Sequence, residues 1–339
     1  MSTIRSETRH DAQVTLAPVD ELTITMLVDN VVDQMLPDQG PVRRAPLVGP
    51  GMPYTASRVL EHGDAVDALR AEHGFSALVT VRRGQAISQV LYDAGLTPDG
   101  LIANMRRLGL DPRDVDVVVL SHGHPDHVTG LDGFVRALGR SDVPLIVHPD
   151  LWRRRRVTIP GRDPLELPVP SRRGLADAGF DLVDRAVPSL LFDGSVLVSG
   201  EVERRTPFET GFPGHETERH GIWTPDPFIL DDQALVIEVV GRGLVVLTGC
   251  GHAGVINIVE HARRLTGVRT IHAVIGGFHL AGPTFEAAIP DTVRQLSAYQ
   301  PALVVPAHCT GWQATRTLAD ALPESLVPNS VGTRITIAA

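Results

Sequence analysis

The chain is poor in cysteine. Two residues among 339, Cys250 and Cys309, exclude a disulfide framework and make a reducing, cytoplasmic compartment the expectation. Long apolar runs are missing too. No stretch approaches the ~20 residues that a bilayer-spanning helix needs, and Met1–Asp20 lacks the apolar core of a signal peptide. Basic blocks are equally scarce. The formal net charge is −9, and the one run of cations, Arg153–Arg156, is short and reads as a solvated face. Neither nucleic acid nor a membrane is therefore an expected partner. Aromatic residues make up 4% of the chain, which leaves few stacking surfaces; Trp152, Trp223 and Phe278 are the candidates. No Gly-x-Ser-x-Gly elbow occurs, and no Ser-His-Asp arrangement is evident.

What is present is enough apolar material, 43% of residues, for a substantial core in one large domain or two ordinary ones. Residues 1–20 read as a poorly ordered tail, and 21–339 as the folded domain. A strand is expected at Leu22–Asp29, a Pro- and Gly-rich loop at Gln34–Tyr54, and a weakly periodic helix at Ser57–Glu72. Ser76–Val81 and Gln89–Tyr92 read as a hairpin, and Thr97-Pro98-Asp99 opens a helix running to Leu108. Val115–Leu120 is a continuous apolar run, expected as a buried strand, with a helix at Thr129–Leu138 beyond it. The same strand–turn–helix plan returns at Leu244–Leu265, and two further strands end at Ile275 and Val305. Between Trp152 and Asp232 the chain is rich in Pro, Arg and Gly, with one clear strand at Ser195–Ser199. It reads as a long insertion that shapes a pocket. Sheets covered by helices, with polar clusters at strand ends on one rim, follow from this order.

The chemistry concentrates after the buried strand, in Ser121-His122-Gly123-His124-Pro125-Asp126-His127. Imidazole nitrogens and carboxylate oxygens are the usual ligands of zinc and related ions, and a tight loop projects them toward one point. Gly123 permits the sharp backbone between the first two histidines, and Pro125 stiffens the next step. Each cysteine also lies within two residues of a histidine, His252 or His308.

This run resembles the His-x-His-x-Asp-His signature of the metallo-β-lactamase superfamily. The resemblance implies an α/β fold, a four-layer αββα sandwich. It implies that His122 and His124 serve a first metal, and Asp126 and His127 a second. Asp93, in Leu91-Tyr92-Asp93-Ala94-Gly95, resembles the superfamily's upstream carboxylate that orients a ligand histidine. Further blocks are similar to the 7,8-dihydropterin-6-methyl-4-(β-D-ribofuranosyl)aminobenzene-5′-phosphate synthase-like branch. They are Val28-Asp29-Asn30, Glu72-His73-Gly74-Phe75-Ser76, Thr248-Gly249-Cys250-Gly251-His252-Ala253-Gly254, Gly276-Gly277-Phe278-His279-Leu280 and Pro306-Ala307-His308-Cys309-Thr310-Gly311. His308 falls where the superfamily places its final ligand histidine. At the Thr-Gly-Cys turn the superfamily commonly has a bridging Asp, and this chain has Cys250 instead. Either Cys250 is a thiolate ligand, or His252 completes the site; the flanking glycines favour His252. His279 is a ligand or a substrate contact, and His73 a pocket residue.

The expected function is metal-dependent hydrolysis of an ester, lactone, amide or phosphoester of a small-molecule substrate, with Asp126 orienting the nucleophile and passing a proton. Zinc, as two divalent ions, is the expected cofactor, with manganese or iron as alternatives. A dihydropterin-phosphoribosyl synthase-like transferase and a metal-bound sensor of low turnover are the competing readings. Arg204, Arg205 and Trp223, with Phe208, Phe212 and Phe228, are the expected substrate contacts from the insertion. The sequence leaves the oligomeric state open.

Overall fold

The computed structural model describes residues 5–6, 13–46, 53–139 and 141–339. The first half runs β1 (Glu21–Val28), β2 (Ser76–Arg83), β3 (Ala86–Tyr92), α1 (Gly100–Arg107), β4 (Val117–Val119), α2 (Pro125–Val128), α3 (Leu131–Leu138) and β5 (Val143–Val147). The middle contains β6 (Arg155–Val157), β7 (Leu165–Leu167), α4 (Arg172–Asp177), β8 (Phe180–Asp184), β9 (Ser189–Leu191), β10 (Val196–Val198), β11 (His215–Arg219) and β12 (Ile222–Pro225). The second half runs β13 (Leu235–Val239), β14 (Gly243–Thr248), α5 (Val255–Thr266), β15 (Ile271–Gly277), α6 (Pro283–Glu286), α7 (Ile289–Tyr299), β16 (Leu303–Ala307), α8 (Trp312–Ala321) and β17 (Arg334–Ala338).

Two large sheets face one another. One has the order β8-β5-β4-β3-β2-β1-β17 with Val42–Arg43 at its edge; the other runs β9-β10-β13-β14-β15-β16, with Arg5–Ser6 against β9. Each sheet is an antiparallel meander on one side and parallel on the other, where β3, β4, β5 and β8, and β14, β15 and β16, run together. Parallel strands buried on both faces need near-continuous apolar sequence, and Val-Val-Val of β4 and Leu-Val-Val-Pro-Ala of β16 supply it.

Three apolar layers follow. Ile24, Val79, Val119, Leu247, Ile275 and Val305 fill the space between the sheets. Leu101, Met105 and Phe134 pack α1 and α3 onto the first sheet, while Ile256, Val259 and Leu296 pack α5 and α7 onto the second. Each fully buried Val, Leu, Ile or Phe contributes about 1.5–3 kcal/mol. The result is the αββα sandwich. No helix among the described residues is long and apolar enough to cross a membrane.

The structure corrects three expectations. Ser57–Glu72 is not a helix: Tyr54–Ala56 pairs with Asp64–Val66 in a small antiparallel ribbon. Its apolar residues misled because Val59 and Leu60 face solvent rather than a core. The stretch expected as a tail is anchored to the core from Val14 onward, since Val14, Leu16 and Val19 are buried and Val19 bridges to Val239. Residues 1–4 and 7–12 lie outside the described residues. Trp152–Asp232 is not one irregular insertion, because β8, β9 and β10 complete the two main sheets. What is added is a separate antiparallel sheet, β7-β6-β11-β12, formed from two segments.

Candidate metal centre

The parallel strands of both sheets end at the same rim, and every candidate ligand sits just beyond a strand's C-terminal end. Asp93 follows β3, the His122–His127 run follows β4, Cys250 and His252 follow β14, His279 follows β15, and His308 follows β16. Ladder bonds fix their relative height, with Tyr92 opposite Val119, Thr248 opposite Gly276, and Gly277 opposite Ala307. Carboxyl ends of strands in α/β sheets are the usual place for such sites. The two sheets meet closely there: a Cβ on Gly249 would collide with Ser121 Oγ and lie 2.6 Å from Asp93 Oδ2.

Hydrogen bonds on the outer side of each ring decide where its lone pair points. Ser121 Oγ donates to Asp93 Oδ2 at 2.7 Å and so accepts from His122 Nδ1 at 2.8 Å, leaving His122 Nε2 buried and without a partner. His215 Nδ1 lies 3.0 Å from the Asp226 carbonyl, which can only accept. With one proton per ring, His215 Nε2 then accepts from His124 Nε2 at 3.1 Å, and His124 Nδ1 is left as a lone pair. That atom faces His252 Nε2 across 3.1 Å. In the metal-free protein a proton on His252 Nε2 can bridge this pair as a hydrogen bond; an ion held by both nitrogens would replace that proton, and ligands around one tetrahedral zinc stand about 3.3 Å apart. His252 Nδ1, on the outer side, has no hydrogen-bond partner.

A second set lies beside the first. His127 Nδ1 donates to Asp93 Oδ2 at 2.7 Å, which turns Nε2 toward Cys250 Sγ at 3.2 Å. His308 Nδ1 donates to Asn30 Oδ1 at 3.0 Å, and its Nε2, with no hydrogen-bond partner, lies 3.2 Å from Asp126 Oδ2. Asp29 holds the same turn by accepting His308 N at 2.7 Å. Donor atoms of Asp126, His127, Cys250 and His308 all fall within 4.8 Å of one another, as do those of His122, Cys250 and His252.

The electrostatics suit a cation. Burial and neighbouring imidazoles push His122, His124 and His252 well below the usual histidine range, so these rings are neutral, as ligands must be. Burial opposes charge on Asp126, yet His127 and His308 outweigh it and hold the carboxyl well below its ordinary value. For His127 burial is likewise outweighed, by Asp93 and Asp126, and the ring is raised to about 9, so without metal it is protonated and must release that proton to ligate. Burial, together with the Cys309 thiol, pushes Cys250 well above the usual thiol range. The partnerless inward nitrogens of His122 and His308, the converging nitrogens of the other rings and one ionised carboxylate fit a pair of divalent ions.

A profile of the metallo-beta-lactamase superfamily matches residues 74–308, which carry all of these donors. The chain belongs to that superfamily. It is 26% identical over 253 residues to the 7,8-dihydropterin-6-methyl-4-(beta-D-ribofuranosyl)-aminobenzene-5'-phosphate synthase of Methanocaldococcus jannaschii, covering 72% of this chain and 83% of the relative. A ribonuclease Z of Salinibacter ruber is 27% identical over 178 residues, half of each chain. Among solved structures, a metal-dependent hydrolase of the beta-lactamase superfamily superposes with a TM-score of 0.68 at 22% identity, covering 94% of this chain and 100% of that one.

Within this superfamily site, Asp93 accepts from Ser121 N at 2.6 Å as well as from His127, and so orients both sides of the cluster. Cys250 and His252 both join the donor groups, so the structure does not make them alternatives. His73 stands at the exposed mouth, with Nε2 3.6 Å from Asp126 Oδ2 and its ring 4.9 Å from that of His308. On the opposite side, a cavity of about 270 Å³ borders His252 and His279 and is walled by Phe208, Phe285 and Leu280. Phe212 packs on Phe285 and His279 behind this wall.

Of the residues expected as contacts from the middle segment, Phe208 lines this cavity and the others lie elsewhere. Trp223 lies on the added sheet between Arg154 and Arg156, 5.4 and 4.6 Å from its ring, and Arg205 pairs with Glu203 at the surface. Arg204 lies over Phe228 and donates to the Val202 carbonyl at 3.0 Å. None of Arg204, Arg205, Trp223 and Phe228 lines the cavity, because ion pairs and stacking hold these side chains elsewhere. Nor is Arg153–Arg156 wholly a solvated face. Arg155 is buried and paired at 2.6 Å with buried Asp231, whose other oxygen accepts Gly123 N at 2.8 Å.

Several residues escaped the sequence reading: His215, the Arg155–Asp231 pair, Asp232, which accepts Ala253 N at 2.8 Å, and Asn30 as the partner of His308. The Asp231-Asp232 doublet was the one available signal, since paired acids before a buried strand need partners. His215, in Gly214-His215-Glu216, has no ligand spacing around it.

Proposed function

We propose that the protein is a hydrolase of a small molecule bearing an ester, lactone, amide or phosphoester bond, working with two divalent ions, zinc first among them. The observation that carries this reading is the set of imidazole nitrogens facing inward, those of His122, His124, His127 and His308 turned there by hydrogen bonds on their outer sides. His122, His124 and His252 would hold one ion, and Asp126, His127 and His308 the other. A divalent ion there lowers the pKa of water toward neutrality and polarises a carbonyl or phosphoryl oxygen. Asp126 Oδ2 stands at the mouth beside His73 and His308, where it can take a proton from water and return it to a leaving group. Phe208, Leu280 and Phe285 would seat the apolar part of the substrate and exclude water. Two free thiols at the centre suit a reducing compartment.

Elemental analysis of the purified protein, paired with a panel of phosphodiester, lactone and β-lactam substrates, tests the reading. At least two ions per chain are expected, with turnover of one class that a chelator abolishes and zinc restores. Failure to hold any ion after reconstitution would refute it; full loading without turnover would point to a sensor. A second reading, synthesis in which a ribofuranosylaminobenzene phosphate displaces a leaving group such as diphosphate from the 6-methyl carbon of a dihydropterin, is favoured by the Methanocaldococcus jannaschii relative and by the aromatic cavity wall. Product formation from those two compounds, absent any hydrolysis on the panel, would select it.

A further inference from the structure

The proposed ligand sets leave two groups unused, the Cys309 thiol and the His279 imidazole, and beside them stands the Cys250 thiol, which lies within reach of both proposed ions without being required by either. Their donor atoms lie within 4.8 Å of one another. His279 is held in an unusual way. Its backbone is in the left-handed region, φ +45°, where a residue other than glycine costs about 1–3 kcal/mol unless its surroundings impose it. The ring is packed between His252 at 4.1 Å and Phe285 at 4.4 Å, and both ring nitrogens are buried without a hydrogen-bond partner. The Cys309 thiol beside the ring is a weak partner at best, and an imidazole so poorly satisfied is costly to bury. A cation bound to one of its nitrogens removes part of that cost.

The thiols are brought together just as specifically. Cys309 Sγ donates to the Cys250 carbonyl at 3.3 Å and stands beside the Cys250 thiol and the His279 ring. A Cβ on Gly277 would lie 2.8 Å from Cys309 Sγ and 3.1 Å from Cys250 Cα, so the missing side chain on β15 makes room for both cysteines. His279 and Gly251 also line the cavity, which puts that open space next to the three donors.

We propose that Cys250, Cys309 and His279 form a third metal site, for one thiophilic ion of the zinc type, with a remaining coordination position toward the cavity. Two thiolates and one imidazole with an open position are a recognised zinc donor set, and soft sulfur discriminates against magnesium and calcium. Binding releases the two thiol protons to solvent. The proposal rests on reading the protein as a metalloprotein; it is independent of the substrate.

The test titrates metal-free full-length protein with cobalt(II) and with zinc, counting bound ions by equilibrium dialysis and following thiolate-to-cobalt charge-transfer absorption. The parent should bind about three ions, and Cys309→Ser and His279→Asn about two each with most of the charge-transfer band lost. Asparagine is chosen because it tolerates the left-handed backbone. A parent that stops at two ions, or a Cys309→Ser variant with the parent's count and spectrum, would overturn the third site and leave the two-ion reading standing. One ion whose charge-transfer band disappears in Cys309→Ser would do the reverse.

Discussion

His215 is the residue through which the added sheet reaches the metal centre, and replacing it by phenylalanine isolates that role. The ring volume is nearly conserved, so the buried site stays filled, but the Nε2 acceptor and the Nδ1 donor both vanish. His124 Nε2–H then loses its partner at 3.1 Å and the Asp226 carbonyl loses its partner at 3.0 Å. Each buried group left unsatisfied costs about 1–3 kcal/mol of stability. The more telling effect is on the first ion. His124 is no longer held with Nδ1 free and aimed at His252, and losing such an outer partner typically weakens metal binding by about 10–100-fold. That range equals roughly 1.4–2.8 kcal/mol of binding free energy. Zinc affinity is measured by competition with a chromophoric chelator, and apo stability by urea unfolding of the same preparations. His215→Gln, which can still accept from His124, should recover part of the affinity. If His215→Phe loses stability yet binds its tightest ion within about threefold of the parent, the relay through His215 is only packing and the reasoning fails.

Asp231→Asn should cost about 3–5 kcal/mol in urea unfolding, because it leaves the buried Arg155 guanidinium without its carboxylate; a loss under about 1 kcal/mol would refute the pairing as a structural element. Gly249→Ala should bind about one ion fewer, since its methyl displaces Ser121 and Asp93 and with them His127; unchanged metal content would contradict the close approach seen there. Trp223→Ala and Arg205→Ala should leave relative rates across a substrate panel unchanged, with Trp223→Ala costing about 1–2 kcal/mol of stability from two lost cation–π contacts. Phe285→Ala should raise KM about tenfold for the best substrate while metal content is kept, and an unaltered KM would remove the cavity from the substrate path.

How much of this was legible in the sequence depended on whether a residue acts near its own segment. The His122–His127 run is a local signature: one turn after one buried strand, readable because β4 is three consecutive buried valines. Strands β14, β15 and β16 were legible for the same reason, and their terminal Gly, His and Cys residues marked the rim. Residues that act across the fold were not. Arg155 looks like one of four solvated arginines, and only its pairing with Asp231, 76 positions away, separates it from Arg154 and Arg156. Trp223 looked like a pocket wall because aromatic residues are scarce, whereas the guanidinium groups of Arg154 and Arg156, two strands away on the added sheet, lie over its ring. Ser57–Glu72 failed differently, since apolar spacing reports a core only when a partner surface lies opposite, and Val59 has none.

The location of the centre follows from the way the two halves repeat. β4 and β14 each run into a turn carrying histidines, then into a helix, then into a parallel neighbour, β5 or β15. One such unit offers ligands from a single direction, which suffices to touch an ion but not to surround it. Packing the two sheets through Val119, Leu247 and Ile275 sets the units face to face, and the missing side chain at Gly249 lets their turns close to contact distance. Each proposed ion then draws on both halves: His122 and His124 with His252 for one, Asp126 and His127 with His308 for the other. The ligand sets therefore exist only when the inter-sheet core is assembled, and ion binding must add to the stability of that sheet-to-sheet contact rather than of either half alone.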